Sequence, residues 1–280
     1  MNCIEIENLC KNYEGFSLKN VTFSVPEGCV VGLIGENGAG KTTTINCILS
    51  LVRGSGTVKV FGKNTEDLTD EERSKIGVVT GAKGLPSNLK VKQVGKVLRG
   101  VFRDWDGDAF CRYAEKFALP SEKKVSELSS GMKQKLALAA ALSHETRLLV
   151  LDEPTTGLDP VARDELLNEF YEYMQRENRS MLLSSHIMGD LEKICDYIAF
   201  IHKGELVFFE EKDALYEKYG ILKCDKSRLA ELDKSAVVGY SATPYGASAL
   251  VLKEKIPATF ATERAGIDDV MLYYIKGERL

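Results

Sequence analysis

The stretch that most restricts how this chain can fold is Gly35-Glu36-Asn37-Gly38-Ala39-Gly40-Lys41-Thr42, preceded by the apolar run Val30-Val31-Gly32-Leu33-Ile34. It fits G-x-x-x-x-G-K-[ST], and it stands where that motif has to stand, after a predicted buried strand and before a predicted helix over Thr43–Leu51. Glycines let the backbone wrap a polyphosphate with successive N–H groups turned inward. The helix that follows offers its unpaired N–H groups and about half a positive charge to the same anion. Gly35, Glu36, Asn37, Gly38, Ala39, Gly40, Lys41, Thr42 and Thr43 are therefore the expected nucleotide-binding residues. Lys41 is expected to reach the β- and γ-phosphates, and the Thr42 hydroxyl to ligate Mg2+. The plainer alternative is a glycine-rich turn carrying a surface lysine.

The rest of the chain is patterned to fit. Strand signals at residues 3–9 and 21–25, with Tyr13 in the turn region between them, are followed by Val30–Ile34, Thr57–Gly62 and Lys75–Thr80. From about Ala82 to Glu127 the texture turns helical. Beyond it, the pattern predicts a helix Met132–Ser143, strand Leu148–Leu151, helix Pro160–Glu177, strand Ser180–Ser184, helix Ile187–Cys195 and strand Ile198–His202. Strands alternating with helices imply right-handed crossovers and a largely parallel sheet covered on both faces. The pattern loosens around Lys218–Lys223. A hairpin then spans Val237–Tyr240 and Ser248–Leu252 across Thr243-Pro244-Tyr245-Gly246, and an amphipathic helix runs Ile267–Lys276. Residues 222–280 read as a small appended subdomain.

Composition narrows the partners. The formal net charge of −4 comes with no long basic run, so nothing marks a nucleic-acid surface. No apolar run approaches the roughly 20 residues of a spanning helix, and the N-terminus lacks the pattern of a secretory leader. Seven cysteines without a C-x-x-C pair read as reduced thiols of a cytoplasmic protein.

Three further features carry chemistry. Leu148-Leu149-Val150-Leu151-Asp152-Glu153 delivers two carboxylates to the C-terminal end of a strand, where open α/β sheets place ligands. Asp152 suits Mg2+, directly or through its second sphere, and Glu153 suits polarisation of an attacking water; a plain turn cap is the competing reading. Leu128-Ser129-Ser130-Gly131-Met132 opens a helix and reads either as a second anion site, through the Ser129 hydroxyl and nearby N–H groups, or as an ordinary N-cap. His186 follows the strand Met181-Leu182-Leu183-Ser184-Ser185, beside the sheet edge that carries Asp152 and Glu153, which favours a catalytic over a structural role.

In this order the four elements resemble the ATP-binding subunit of an ABC transporter, over about residues 3–220. The resemblance implies an ABC cassette: an α/β P-loop NTPase fold over 1–221, with a mixed, largely parallel core sheet, an antiparallel β-subdomain and a helical insert at about 82–145. A small C-terminal α+β extension covers 222–280. It further implies that Ser129 and Gly131 touch the phosphate held by a second cassette packed head to tail, either another copy or a homologous one. Asp159 in Thr156-Gly157-Leu158-Asp159 matches the D-loop position, His186 the switch histidine, and Tyr13 the aromatic that stacks on adenine. ATP and Mg2+ are the implied ligands and ATP hydrolysis the implied activity. A separately encoded membrane permease is the implied partner, with the chain lying against the inner face of the membrane. The pattern is most similar to exporter-type cassettes of bacterial drug, peptide and antibiotic-resistance systems.

Two departures stand out. Ser130 and Met132 replace a glycine and the glutamine of the usual L-S-G-G-Q, and Gly81 or a neighbour stands where the family commonly has a magnesium-contacting glutamine, with Gln93 too far along to substitute. Two other readings compete with the transporter: a soluble ABC-type ATPase acting on ribosomes or DNA, and a small-molecule kinase that leaves Ser129 and His186 idle.

Overall fold

The computed structural model describes residues 1–80, 84–229, 231–243, 246–257 and 259–278. In chain order the strands are β1 (Asn2–Tyr13), β2 (Phe16–Pro26), β3 (Val30–Ile34), β4 (Ser55–Val60), β5 (Lys63–Asn64), β6 (Ile76–Thr80) and β7 (Leu148–Asp152). They continue with β8 (Ser180–Ser185), β9 (Tyr197–His202), β10 (Glu205–Glu211), β11 (Tyr219–Cys224), β12 (Val237–Thr243), β13 (Gly246–Leu252) and β14 (Glu263–Arg264). Ten of them form one sheet in the order β5-β4-β1-β2-β10-β9-β3-β8-β7-β6.

Its centre is parallel: β9, β3, β8, β7 and β6 lie side by side and point the same way. Every residue of β3 and β8 is buried, which is why these segments read as unbroken apolar runs rather than alternating ones. Successive side chains serve opposite faces. Val30 and Ile34 enter the core shared with Leu149, Leu151, Met181 and Leu183, whereas Val31 and Leu33 enter the one shared with Leu148, Val150 and Leu182. The pairing also brings the strand ends level, since Ile34 lies opposite Ser185 and Asp152 lies between Ser184 and Thr80. Everything that follows these strands therefore emerges along one edge.

The antiparallel flank is built from β1, β2, β4 and β5. Here β1 runs on to Tyr13, so that residue ends a strand instead of sitting in a loose turn, with Glu14-Gly15 making the reversal. The helical texture beyond residue 82 resolves into helices Val91–Leu98 and Gly107–Lys116, whose Val91, Val94 and Phe110 pack into the same core as Leu136 and Leu149. Gly81 lies outside the described residues, as do Ala82 and Lys83.

The loosened pattern at 218–223 is in fact helix Lys212–Lys218 leading into β11. Tyr219 through Leu222 are all buried, so the strand shows no two-residue alternation to the eye. β10 was equally hidden, because Glu205, Glu210 and Glu211 give its ends the look of a solvated loop. β11 belongs to a second sheet, antiparallel, in the order β12-β13-β11-β14. The expected β12–β13 hairpin is present, though Pro244 and Tyr245 of its tip are outside the described residues. Helix Ile267–Lys276 carries Tyr274, whose ring lies 6.1 Å from Phe200 and 5.9 Å from Phe208 and whose hydroxyl is 2.9 Å from that of Tyr219. The small sheet thus shares a core with the large one. Among the described residues no helix is long and apolar enough to cross a membrane.

Candidate functional site

The loop from Gly35 to Gly40 joins β3 to helix Lys41–Ile48. Its backbone demands glycine at the start: Gly35 has φ +154°, and a Cβ there would lie 2.2 Å from the Ile201 carbonyl oxygen. Gly40 caps the helix in the left-handed region with no side chain bonded to the first turn, and no acidic residue lies in that turn. The first-turn N–H groups are the free, positive end of the helix.

Lys41 is buried, and its ammonium donates to the carbonyls of Gly35 at 2.7 Å and Glu36 at 3.3 Å. The same ammonium stands 3.3 Å from Glu153 Oε1. Next to it, the Thr42 hydroxyl donates to Asp152 Oδ2 at 2.8 Å. The Ser184 hydroxyl donates to the other oxygen, Oδ1, at 2.5 Å. Glu153 follows in a left-handed backbone conformation, φ +52°, which costs a side-chain-bearing residue about 1 kcal/mol or more. Its N–H is held by the Ser184 hydroxyl at 3.0 Å and its carbonyl accepts from Gln134 Nε2 at 3.3 Å. Its Oε2 accepts from the Thr156 hydroxyl at 2.8 Å and lies 2.6 Å from His186 Nδ1.

Burial is the largest influence on the Glu153 carboxyl and pushes its pKa up. The Thr156 hydroxyl, the Lys41 charge and His186 together outweigh it and hold the group below the usual carboxylate range. Glu153 is thus an anion with one oxygen tied to His186 and the other facing a lysine. A carboxylate so placed, beside a phosphate-binding loop, can accept hydrogen bonds from a water and orient it.

Thr42 and Asp152 offer two hard oxygen donors in mutual contact, the type a magnesium ion takes. Among the described residues no group of three or more His, Cys, Asp or Glu could hold a metal unaided, so any ion here would draw its remaining ligands from phosphate and water.

A cleft of about 440 Å³ runs over this face, lined by Gly15, Phe16, residues 36–38 and 40–43, and Glu153. The expected residues divide into two groups. Lys41, Thr42, Asp152, Glu153 and His186 form one connected set. Tyr13 is opposite Phe16 in the β1–β2 hairpin, half exposed, with the Lys11 ammonium 5.3 Å from its ring centre, and it does not itself line the cleft. Ser129, Gly131 and Asp159 also stand apart from the set. The Ser129 hydroxyl caps helix Ser130–Ala141 by accepting from Met132 N at 3.2 Å, and Ser129 and Ser130 are exposed. Asp159 caps helix Pro160–Met174, accepting from Ala162 N at 3.0 Å and Val161 N at 3.1 Å; the Ala162 N–H leads in holding its pKa down. The two caps adjoin, for a Cβ on Gly131 would lie 2.7 Å from Leu158 Cδ2.

Sequence reasoning missed Ser184, Gln134, Thr156 and Phe16. Ser184 had a readable signal, a hydroxyl closing an apolar strand paired with the one ending at Asp152. Gln134 and Phe16 had none, since only folding brings them here.

Comparison with known proteins adds to this geometry. The family described as ABC transporter matches residues 18–156. The bacitracin transport ATP-binding protein BcrA of Enterococcus faecalis is 37% identical over 73% of this chain and 68% of its own length. The ABC transporter ATP-binding protein NatA of Bacillus subtilis is 35% identical over 72% of this chain and 84% of its own. The lantibiotic transport ATP-binding protein SrtF of Streptococcus pyogenes is 34% identical over 75% and 91%. Among solved structures, an ATP binding subunit of an ABC transporter superposes with a TM-score of 0.69 at 28% identity, over 76% of this chain and 91% of that one. A dimeric post-hydrolysis ATP-binding cassette bound to ADP and Pi has a TM-score of 0.67 at 24% identity over 74% and 98%, a likeness of fold.

Proposed function

The chain belongs to the ABC transporter family, and from that membership we propose that it is the ATP-hydrolysing subunit of an exporter, driving a separately encoded membrane permease. The observation that carries this reading is the connected set Lys41–Glu153–His186 with Thr42–Asp152 beside it. The phosphate loop and Lys41 bind the β- and γ-phosphates. Glu153 orients the water that attacks the γ-phosphate, and His186, hydrogen-bonded to Glu153, reaches the same phosphate. Thr42 and Asp152 would hold Mg2+, which would supply positive charge to offset that of the transferring phosphoryl group. Tyr13, at the end of β1, stacks on the base.

Ser129, Gly131 and Asp159 act in trans. Their caps are exposed and apart from the cleft, which supports a head-to-tail pair in which each copy's Ser129 turn closes over the other's phosphate loop. Two of these relatives carry a cargo in their names, bacitracin and a lantibiotic; by analogy the cargo here is a peptide-like or drug-like antibiotic. The cassette spans 1–221, with its helical part at about 82–145. The extension over 222–280, whose sheet begins with Tyr219, packs against it as a cover for Phe200 and Phe208. The chain works at the inner face of the membrane through its permease.

The test is Glu153→Gln. The variant is expected to bind ATP with wild-type affinity and to lose turnover, as measured by phosphate release. Full turnover in the variant would remove Glu153 from the role given to it.

A further inference from the structure

Behind the connected set lies a second buried cluster that the reaction scheme leaves unused. Asp190 and Thr155 are each only 1% exposed. The Thr155 hydroxyl donates to Asp190 Oδ2 at 2.6 Å, and Arg163 Nε donates to Oδ1. Arg163 is itself partly exposed, so the carboxylate is the one fully buried charge of the cluster. A buried carboxylate is costly unless both oxygens are satisfied, and here both are.

The three residues come from three segments that each carry a group of the site. Thr155 is two residues beyond Glu153, and its neighbour Thr156 bonds the Glu153 carboxylate. Arg163 is on the helix capped by Asp159, and its N–H bonds the Asp159 carbonyl at 2.9 Å. Asp190 is four residues beyond His186, on helix Met188–Ile194, with its own N–H on the Ile187 carbonyl at 3.1 Å. None of the three lines the cleft.

We propose that Asp190 is a positioning residue for hydrolysis: through Thr155 and Arg163 it locks the Glu153 turn, the Asp159 cap and the His186 segment into one arrangement. The inference rests on the roles given above to Glu153 and His186. A shared buried carboxylate couples the three segments, so a shift in the Asp159 cap is passed to the carboxylate and imidazole. A displacement of about 1 Å in a positioned group costs up to about a hundredfold in rate. That sensitivity gives the lock its functional weight.

The test uses the full chain with Thr155→Val, which deletes the hydroxyl at nearly constant shape, Thr155→Ser, which keeps it, and Asp190→Asn. Two readouts are taken: the kcat and KM of ATP hydrolysis, and the imidazole NMR resonances of His186, one of only three histidines and assigned by their absence in His186→Ala. Thr155→Val and Asp190→Asn are expected to lower kcat by about tenfold or more with KM for ATP unchanged, and to move the His186 resonances. Thr155→Ser should restore both. If Thr155→Val lowers only the melting temperature, with kcat and the His186 resonances as in wild type, the cluster is a structural staple and the inference falls alone. Wild-type protein that does not hydrolyse ATP overturns the hydrolytic reading and this inference with it.

Discussion

Two turns in this molecule are built on the same principle and left in different conditions. Gly35–Thr42 and Leu128–Met132 each lead into the N-terminus of a helix through a glycine- or serine-bearing turn, an arrangement that suits an anion. The first is crowded: Lys41 is buried against two carbonyls and Glu153, and Thr42 is bonded to Asp152. The second is open: among the described residues the Ser129 hydroxyl is engaged only in its own cap bond to Met132. Within one chain, then, a buried lysine and two carboxylates gather around one turn, and among the described residues no such set gathers around the other. That asymmetry is what a site completed by a second copy requires.

The largest expected effect separates the two turns by binding. Lys41→Ala should strongly weaken nucleotide binding by the isolated chain and cut turnover by about a hundredfold to a thousandfold, the scale for losing a preorganised charge at the reacting phosphate. Ser129→Ala should leave nucleotide binding by the monomer intact while turnover falls. Equilibrium binding of a fluorescent ATP analogue, beside phosphate release, checks both; equal loss of monomer binding in the two variants would erase the distinction.

Stability gives the next comparison. Gly35→Ala drives a methyl into the Ile201 carbonyl and should cost about 2–3 kcal/mol in denaturant unfolding. At Gly131 the obstructing atom is the tip of the Leu158 side chain, which can turn aside, so Gly131→Ala should cost less than about 1 kcal/mol.

A smaller effect concerns acid. His144 lies just beyond the helix that Ser129 caps, its ring stacked on Phe102 at 4.1 Å, and burial pushes its pKa down from 6.5 to about 4. The unfolded chain therefore binds this proton at higher pH than the folded one, and stability falls as pH drops from about 6.5 towards 4. Glu153 acts at lower pH: its lowered pKa gives stability that is present above the ordinary value of 4.5 and is lost as pH falls below it. Acid should loosen the helix behind Ser129 before it disturbs the Glu153 side, and His144→Phe should flatten the upper part of the pH–stability curve. Unfolding midpoints across pH 4–7 measure this.

The crowded turn was legible in the sequence because its parts are local. Gly35–Thr42 is one contiguous motif and Asp152-Glu153 closes one apolar run, so their meeting follows once a parallel sheet is inferred. The supports were not legible. Ser184, Gln134 and Thr156 reach Glu153 through a left-handed backbone at Glu153 and a strand register that only the fold fixes. The small sheet was harder still, since Tyr219–Leu222 is buried throughout and lacks the alternation that marks a half-exposed strand. At Tyr13 the sequence located the hairpin, while Phe16, the first residue of the next strand, is the aromatic that lines the cleft.

The central claim is that Gly35–Thr42 is half of a site whose other half is the Ser129 turn of a second chain. It is tested most directly by the mass of the Glu153→Gln protein in analytical ultracentrifugation, with and without ATP and Mg2+. The account predicts a monomer without nucleotide, a dimer with it, and a monomer that still binds ATP when Ser129→Arg is added. A Glu153→Gln chain that stays monomeric with ATP bound, or that dimerises equally well with Ser129→Arg, would contradict it.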